Sequence, residues 1–298
     1  MSSRSKNRVA WFAAVAVPVL LASVILLQRS IDAQRDTFAK QGEELLVQSG
    51  PLLKKLSLGY DSLLADIYWT RVVQYYGAKL PTSDRNFSLL APLLEVATTL
   101  DPHLIPAYHF GAFFLSEKQG GAGRPDLAVD LVKKGVAANP DSWLLASDLG
   151  FLYYMRLYDY PKAAEAYYET SKIPGAPQMF KILAARIASK GGALETSRMI
   201  WTQVYQTTTD EQVKKKALEE LKGIKAQADE MAISQLAQEY QKRFGHYPQS
   251  MRDLVEARMV QGVPVDPDGF PYRFTSEGKA VLDPKTTVSI DPGAPGPK

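Results

Sequence analysis

The chain contains no cysteine in its 298 residues. Disulfides, thiol nucleophiles, thiolate metal sites and lipoprotein acylation are excluded, while the compartment stays open. Histidine is nearly as scarce, with only His103, His109 and His246. His103 and His109 stand six apart, not the four that would set two imidazoles on one helix face around a metal. The net charge is only +3, from 35 basic and 32 acidic side chains. That argues against nucleic acid as the main ligand. The sequence has no nucleophile elbow, no dinucleotide loop and no frame of paired catalytic carboxylates. The run Gly120-Gly121-Ala122-Gly123 has no strand before it and no Lys-Ser/Thr pair after it, so it reads as a turn insertion rather than a phosphate cradle. Neither catalysis nor a cofactor nor a bound metal is expected.

Long apolar runs are also missing, with one exception. Val9–Leu27 is an uncharged, mostly apolar run of 19 residues, about enough to span a hydrocarbon core as a helix. Trp11 suits the interface, and a kink at Pro18 is tolerated in a membrane helix. Arg4, Lys6 and Arg8 precede the run, so residues 1–8 are expected on the cytoplasmic side. Everything after Gln28 is then expected on the periplasmic side of a bacterial inner membrane, crossed once. A cleaved signal peptide is the rival, but its apolar region would be shorter and Ile31-Asp32-Ala33 is a poor cleavage match.

A 46% hydrophobic content supports a real core, and the length leaves room for about two domains beyond an anchor. Residues 28–57 read as a helical stalk and linker: Ile31, Phe38 and Leu45 recur at sevens among charges, and Gly50-Pro51 should end the helix. From Leu58 onward, helical spacing dominates. Asp61–Tyr76 forms a broad apolar face closed by Gly77, residues 78–85 a loop, and Phe87–Leu100 a second helix ended by Asp101-Pro102.

The clearest unit runs from Asp141 to Pro177. It has Leu149-Gly150, then Tyr153, then Asp159-Tyr160, Ala163 and Tyr167, and it closes at Pro174 and Pro177. Phe110-Gly111, Phe114, Ala128, Gly135 and Asn139-Pro140 repeat the pattern upstream. Ala184-Ala185, Gly191-Gly192, Ser197, Trp201 and Val204 continue it over 178–207. Asp210 should cap a polar helix, Glu211–Gly223, that closes the open end. The pattern resembles tetratricopeptide repeats, helix–turn–helix units of about 34 residues. The resemblance implies a mainly α solenoid over 58–223, behind the single membrane helix.

After Gly223 the composition shifts. Ala226–Phe244 reads as a helix, Ser250 as the cap of a short one, and Tyr272–Phe274 with Ala280–Leu282 as a hairpin around Glu277-Gly278. Residues 283–298 hold four prolines and are expected to be disordered. The order of helix, Gly-x-Tyr-Pro at 245–248, Asp-Leu-Val at 253–255 and Pro-x-Asp-Pro-x-Gly-x-Pro-Tyr at 264–272 resembles the C-terminal part of the major pseudopilins of type II secretion systems. The resemblance implies a small α+β module over 224–282. A pseudopilin's membrane helix and leader-peptidase motif should stand immediately before it and do not, so pilin-like polymerisation is not implied. Some pseudopilins bind calcium in this loop, but Asp266 and Asp268 alone make a thin site.

In tetratricopeptide arrays the first helix of each repeat lines the groove. That resemblance places Tyr108, Ala112, Leu115, Ser147, Phe151, Tyr154 and Met155 on a partner-binding surface, unless the protein's own segments cover it. The expected function is a non-catalytic, membrane-anchored scaffold for protein partners in the bacterial envelope, with the C-terminal resemblance pointing to a link with pilus or secretion machinery. The alternative is a constitutive accessory subunit of a larger membrane complex.

Overall fold

The computed structural model describes Leu20 and residues 23–26, 28–29, 49–81 and 86–290. These are mainly helical. Of the expected membrane run only Leu20 and residues 23–26 are among them, and those are helical and exposed. No helix among the described residues is long and apolar enough to cross a membrane. The rest of Val9–Leu27, residues 1–8 and most of the expected stalk lie outside them. The chain forms two compact units that divide between Asp101 and Pro102.

The first unit holds α1 (Gly50–Leu56), α2 (Asp61–Lys79) and α3 (Leu90–Leu100). Gly50-Pro51 opens α1; the helix it was expected to end lies outside the described residues. Proline fits the first turn, where its missing N–H would have had no partner. Gly50 also lies so close to α3 that a Cβ there would come within 3.0 Å of Thr99. Helix α2 buries Ala65, Tyr68, Val72 and Tyr76 at spacings of three and four, the apolar stripe of a helix lying on a partner. It runs through Gly77 to Lys79, because an exposed glycine weakens a helix by only about 1 kcal/mol. The buried Phe87 ring, 5.8 Å from that of Tyr76, stands ahead of α3 rather than inside it.

The second unit begins with three helical hairpins: α4 (Ile105–Ser116) on α5 (Pro125–Ala138), α6 (Trp143–Phe151) on α7 (Tyr160–Thr170), and α8 (Met179–Lys190) on α9 (Leu194–Thr207). Each packs on the next. A glycine sits at the closest approach in two of them. At Gly150 an added Cβ would stand 2.9 Å from the Tyr167 ring, and at Gly135 2.7 Å from that of Tyr108. Tyr167 then stacks on Phe180 of α8, with centroids 5.8 Å apart and planes 10° from parallel. The third hairpin is tied by Ser197, whose hydroxyl donates to the Ala185 carbonyl at 2.8 Å. His103, expected to be a solvated turn residue, instead meets the Asn139 side chain at 2.9 Å. The Asn139 amide in turn donates to the carbonyls of Pro102 and Gly135.

The expected capping helix and the expected first helix of the C-terminal module are one helix, α10 (Glu211–Phe244), of 34 residues. The composition change at Gly223 is therefore not a break in the backbone. Asp210 caps α10 as expected, accepting from the amides of Gln212 and Val213. The last half of α10 carries Ile233 into a small core with Met251 and Leu254 of α11 (Met251–Glu256), Tyr272 and Ala280. Strands β1 (Arg273–Phe274) and β2 (Ala280–Val281) pair antiparallel. Around them, the Ala280 amide donates to Ser234 Oγ and the Leu282 amide to Glu230 Oε1, both on α10. Gly278 turns this hairpin at φ +75, with the Tyr247 ring filling the space a side chain would need.

Residues 283–290, expected to be disordered, are a strap. Asp268 holds it: its carboxylate takes the Lys222 ammonium at 2.7 Å and accepts from both the amide and the hydroxyl of Thr287. The Ser289 carbonyl then crosses α10 at Gly223, 2.4 Å from where a Cβ would be. Residues 291–298 lie outside the described residues.

Two variants probe these contacts. Gly150→Leu should destabilise the unit by about 1–3 kcal/mol through overpacking against Tyr167, read as a lower midpoint in urea unfolding of the full chain. An unchanged midpoint would mean that the ring moves aside freely. The hydrogen bond from Lys222, with Thr287 adding to it, lowers the Asp268 carboxyl to about 2. Its stabilisation is therefore present above the ordinary carboxylate range and lost as pH falls. Asp268→Asn should unfold more easily than the native chain at neutral pH and converge with it in strong acid.

Candidate functional site

Helix α4 turns two phenylalanines outward. Phe110 and Phe113 are 49% and 47% exposed, and Phe151 at the end of α6 is 38% exposed. Together with Ala112, Phe114 and Leu152 they line a cleft of about 450 Å³ between α4 and α6. Burial ordinarily removes such rings from water, so three of them, each about half exposed beside one apolar cleft, form an apolar surface patch. A larger cavity, about 680 Å³, lies beside α10 and the strap. Its charges are largely satisfied internally: Lys216 meets Glu220 at 3.2 Å and Lys222 meets Asp268.

One polar pair edges the apolar cleft. His109 Nδ1 lies 2.8 Å from Asp148 Oδ2, and the Asp148 side chain is only 17% exposed. Burial pushes the Asp148 carboxyl above its ordinary range, and His109 offsets part of that rise. At the far side, Arg156 reaches Glu117 at 2.6 Å, joining α6 to the residue that follows α4. Arg156 comes from a π-helical turn, Leu152–Leu157, that extends α6 and ends at Tyr158 with φ +55. A π turn carries an extra residue per turn and re-aims the side chains after it. Here it sends Arg156 toward α4, with its guanidinium 5.6 Å from the Phe151 ring.

The expected groove residues divide. Phe151 and Met155 are exposed, and Ser147 and Tyr154 are half-buried. The Ser147 hydroxyl donates to the Leu144 carbonyl, and the Tyr154 hydroxyl accepts from Lys190. Tyr108, Ala112 and Leu115 were expected on the surface but are buried. The reason is which glycine receives the ring. In the α6–α7 hairpin it is on the first helix and receives a tyrosine from the second. In the α4–α5 hairpin Gly135 is on the second helix and draws Tyr108 of the first inward. Helix α4 therefore presents Phe110 and Phe113 instead.

His109 and Asp148 were not expected as partners. One signal could have found them: each stands two residues before a glycine on the first helix of its hairpin, Gly111 and Gly150. Asp266 and Asp268 do not converge on a cation position. Asp266 accepts from the amides of Asp268 and Phe270, while Lys222 occupies Asp268. Among the described residues no cluster of three His, Asp or Glu could hold a metal ion. No protein-family model matches the chain, and no curated protein matches it in sequence.

The buried carboxyl sets a pH signature. Folded Asp148 takes its proton at a higher pH than it does unfolded, so the folded state holds the extra proton between those two values. Stability falls as pH rises through that window and stays lower above it. Asp148→Asn removes this fall while keeping an oxygen for His109. The variant should gain stability relative to the native chain between about pH 3 and pH 7 in urea unfolding. A difference that stays constant across that range would place the titration elsewhere.

Proposed function

We propose that the protein is a membrane-anchored, non-catalytic scaffold of the bacterial envelope whose cleft between α4 and α6 holds an apolar segment of a protein partner. The observation that carries this reading is the cleft itself, with Phe110, Phe113 and Phe151 on its surface and no segment among the described residues covering them. Rigid aromatic side chains in such positions are the usual anchors of helix-in-groove and extended-peptide recognition. The His109–Asp148 pair fixes one edge of the cleft and leaves it nearly neutral. A partner with an aliphatic or aromatic face fits such a surface better than a charged peptide does.

The stacked helical hairpins support a repeat-type scaffold of the tetratricopeptide kind. The order of turns in the C-terminal module supports a tie to pilus or secretion components. Val9–Leu27 supports a tether, with the helical units on the periplasmic side.

The test is a photo-crosslinking amino acid at Phe113, in the full chain in its native membrane, with Glu277 as the control position. A partner should crosslink at 113 and not at 277. The change Phe110→Ala with Phe151→Ala should weaken that association by about 2 kcal/mol or more per anchor, while helicity and melting stay unchanged. Crosslinking that survives the double change would remove the cleft as the binding surface. A chain that is insoluble without its neighbours would favour a permanent subunit over an exchangeable scaffold.

A further inference from the structure

The corner between α1 and α2 is built unlike the rest of the first unit. Leu58 has φ +51, in the left-handed region, and Gly59 follows at +91. A leucine there is disfavoured sterically, and this one gains no packing in return, being 88% exposed. Leu52 and Leu56 on α1 and Tyr60 after the corner are exposed as well. The corner is nonetheless held. The buried Ser57 hydroxyl donates to the Lys54 carbonyl and bonds the Asp61 carboxylate, and the Tyr60 amide donates to the Ser57 carbonyl at 2.9 Å. A fixed turn thus projects apolar side chains into open space.

Apart from Asp61, which the Ser57 hydroxyl engages, the charge at the corner is basic. Between Ser49 and Tyr60 the only charged residues are Lys54 and Lys55. Both are exposed, with Lys54 also reaching the Thr99 carbonyl at 3.4 Å. Residues 28–49 separate Leu27 from Gly50, a tether that reaches at most roughly 75 Å when extended and that allows the corner to touch the bilayer surface.

We infer that this corner rests on the membrane: Leu52, Leu56 and Leu58 enter the boundary between headgroups and acyl chains of an anionic bilayer, Tyr60 sits at the headgroup level, and Lys55 meets lipid phosphate. Tyrosine favours that level because its ring is apolar and its hydroxyl wet. Basic residues beside an inserted apolar set are attracted by anionic lipid. The contact restrains how the unit stands on its tether. It rests on the reading of Val9–Leu27 as an anchor.

The absence of cysteine makes the test direct. The full chain carrying Leu58→Cys, labelled with a polarity-sensitive fluorophore, is reconstituted in vesicles of phosphatidylglycerol and phosphatidylethanolamine. Ala78→Cys, near the far end of α2, is the comparison, and Leu56→Cys is the second reporter in case position 58 disturbs folding. Quenching by lipids doxyl-labelled near the headgroup should be several-fold stronger at 58 and 56 than at 78. It should weaken with Lys55→Glu or when phosphatidylglycerol is replaced by a neutral lipid. Labels at 58 and 56 that aqueous iodide quenches and lipid does not would overturn the inference. Labels shielded from both would overturn it in favour of a protein cover, such as residues 28–48. Flotation of the vesicles is read separately: a chain that does not float fails as an anchored protein, and this contact fails with it.

Discussion

The second unit depends on a ring set against a backbone. Tyr167 lies on Gly150 on one side and stacks on Phe180 on the other. It thereby closes the α6–α7 hairpin and seats the next hairpin in the same contact. Only a residue without a Cβ lets the two helices come that close, and only a large flat side chain fills the space that results. Trp143, at the start of α6, meets the same Phe180 ring at 5.9 Å. Three successive helices are fixed by a few aromatic contacts. Burial pushes the Tyr167 phenol up to about 12, consistent with a ring withdrawn from water.

The same constraint shapes the candidate site. Both first helices carry a glycine, but in the α4–α5 hairpin it is Gly135 of the second helix that receives the Tyr108 ring, so the two helices that line the cleft present different faces. One brings phenylalanines to the surface and the other contributes Asp148, Phe151 and the π turn. His109 and Asp148 stand on the first helices of two consecutive hairpins, and the packing of α4 against α6 brings them within 2.8 Å.

At the other end, α10 serves both halves of the second unit. Its first turns close the last hairpin, and its last turns are the floor on which the small hairpin lies. The strap crosses near the middle, held by Asp268 between Lys222 and Thr287. Tyr272 donates its hydroxyl to Asp229 of the same helix, and burial with that contact raises its phenol strongly. The C-terminal module is thus fastened along a helix it shares, not hung from a linker.

Most of the helix pattern was legible in the sequence, because periodicity, caps and turn residues are local. Asp210 capping α10, the hairpin turning at Gly278 and the buried Ser197, Trp201 and Val204 all follow from neighbours a few residues away. The outward face of α4 was not legible. Tyr108 and Phe113 are both aromatic and both sit on a helix rich in apolar residues, so the periodic signal does not rank its faces. Gly135, some 27 residues downstream, decides which ring is buried. The strap was hidden for a related reason: prolines and small residues carry little apolar surface, and what holds 283–290 is a carboxylate and a glycine on distant segments. Local chemistry set the elements, whereas close approach between segments far apart in the chain set their faces, the cleft and its one polar pair.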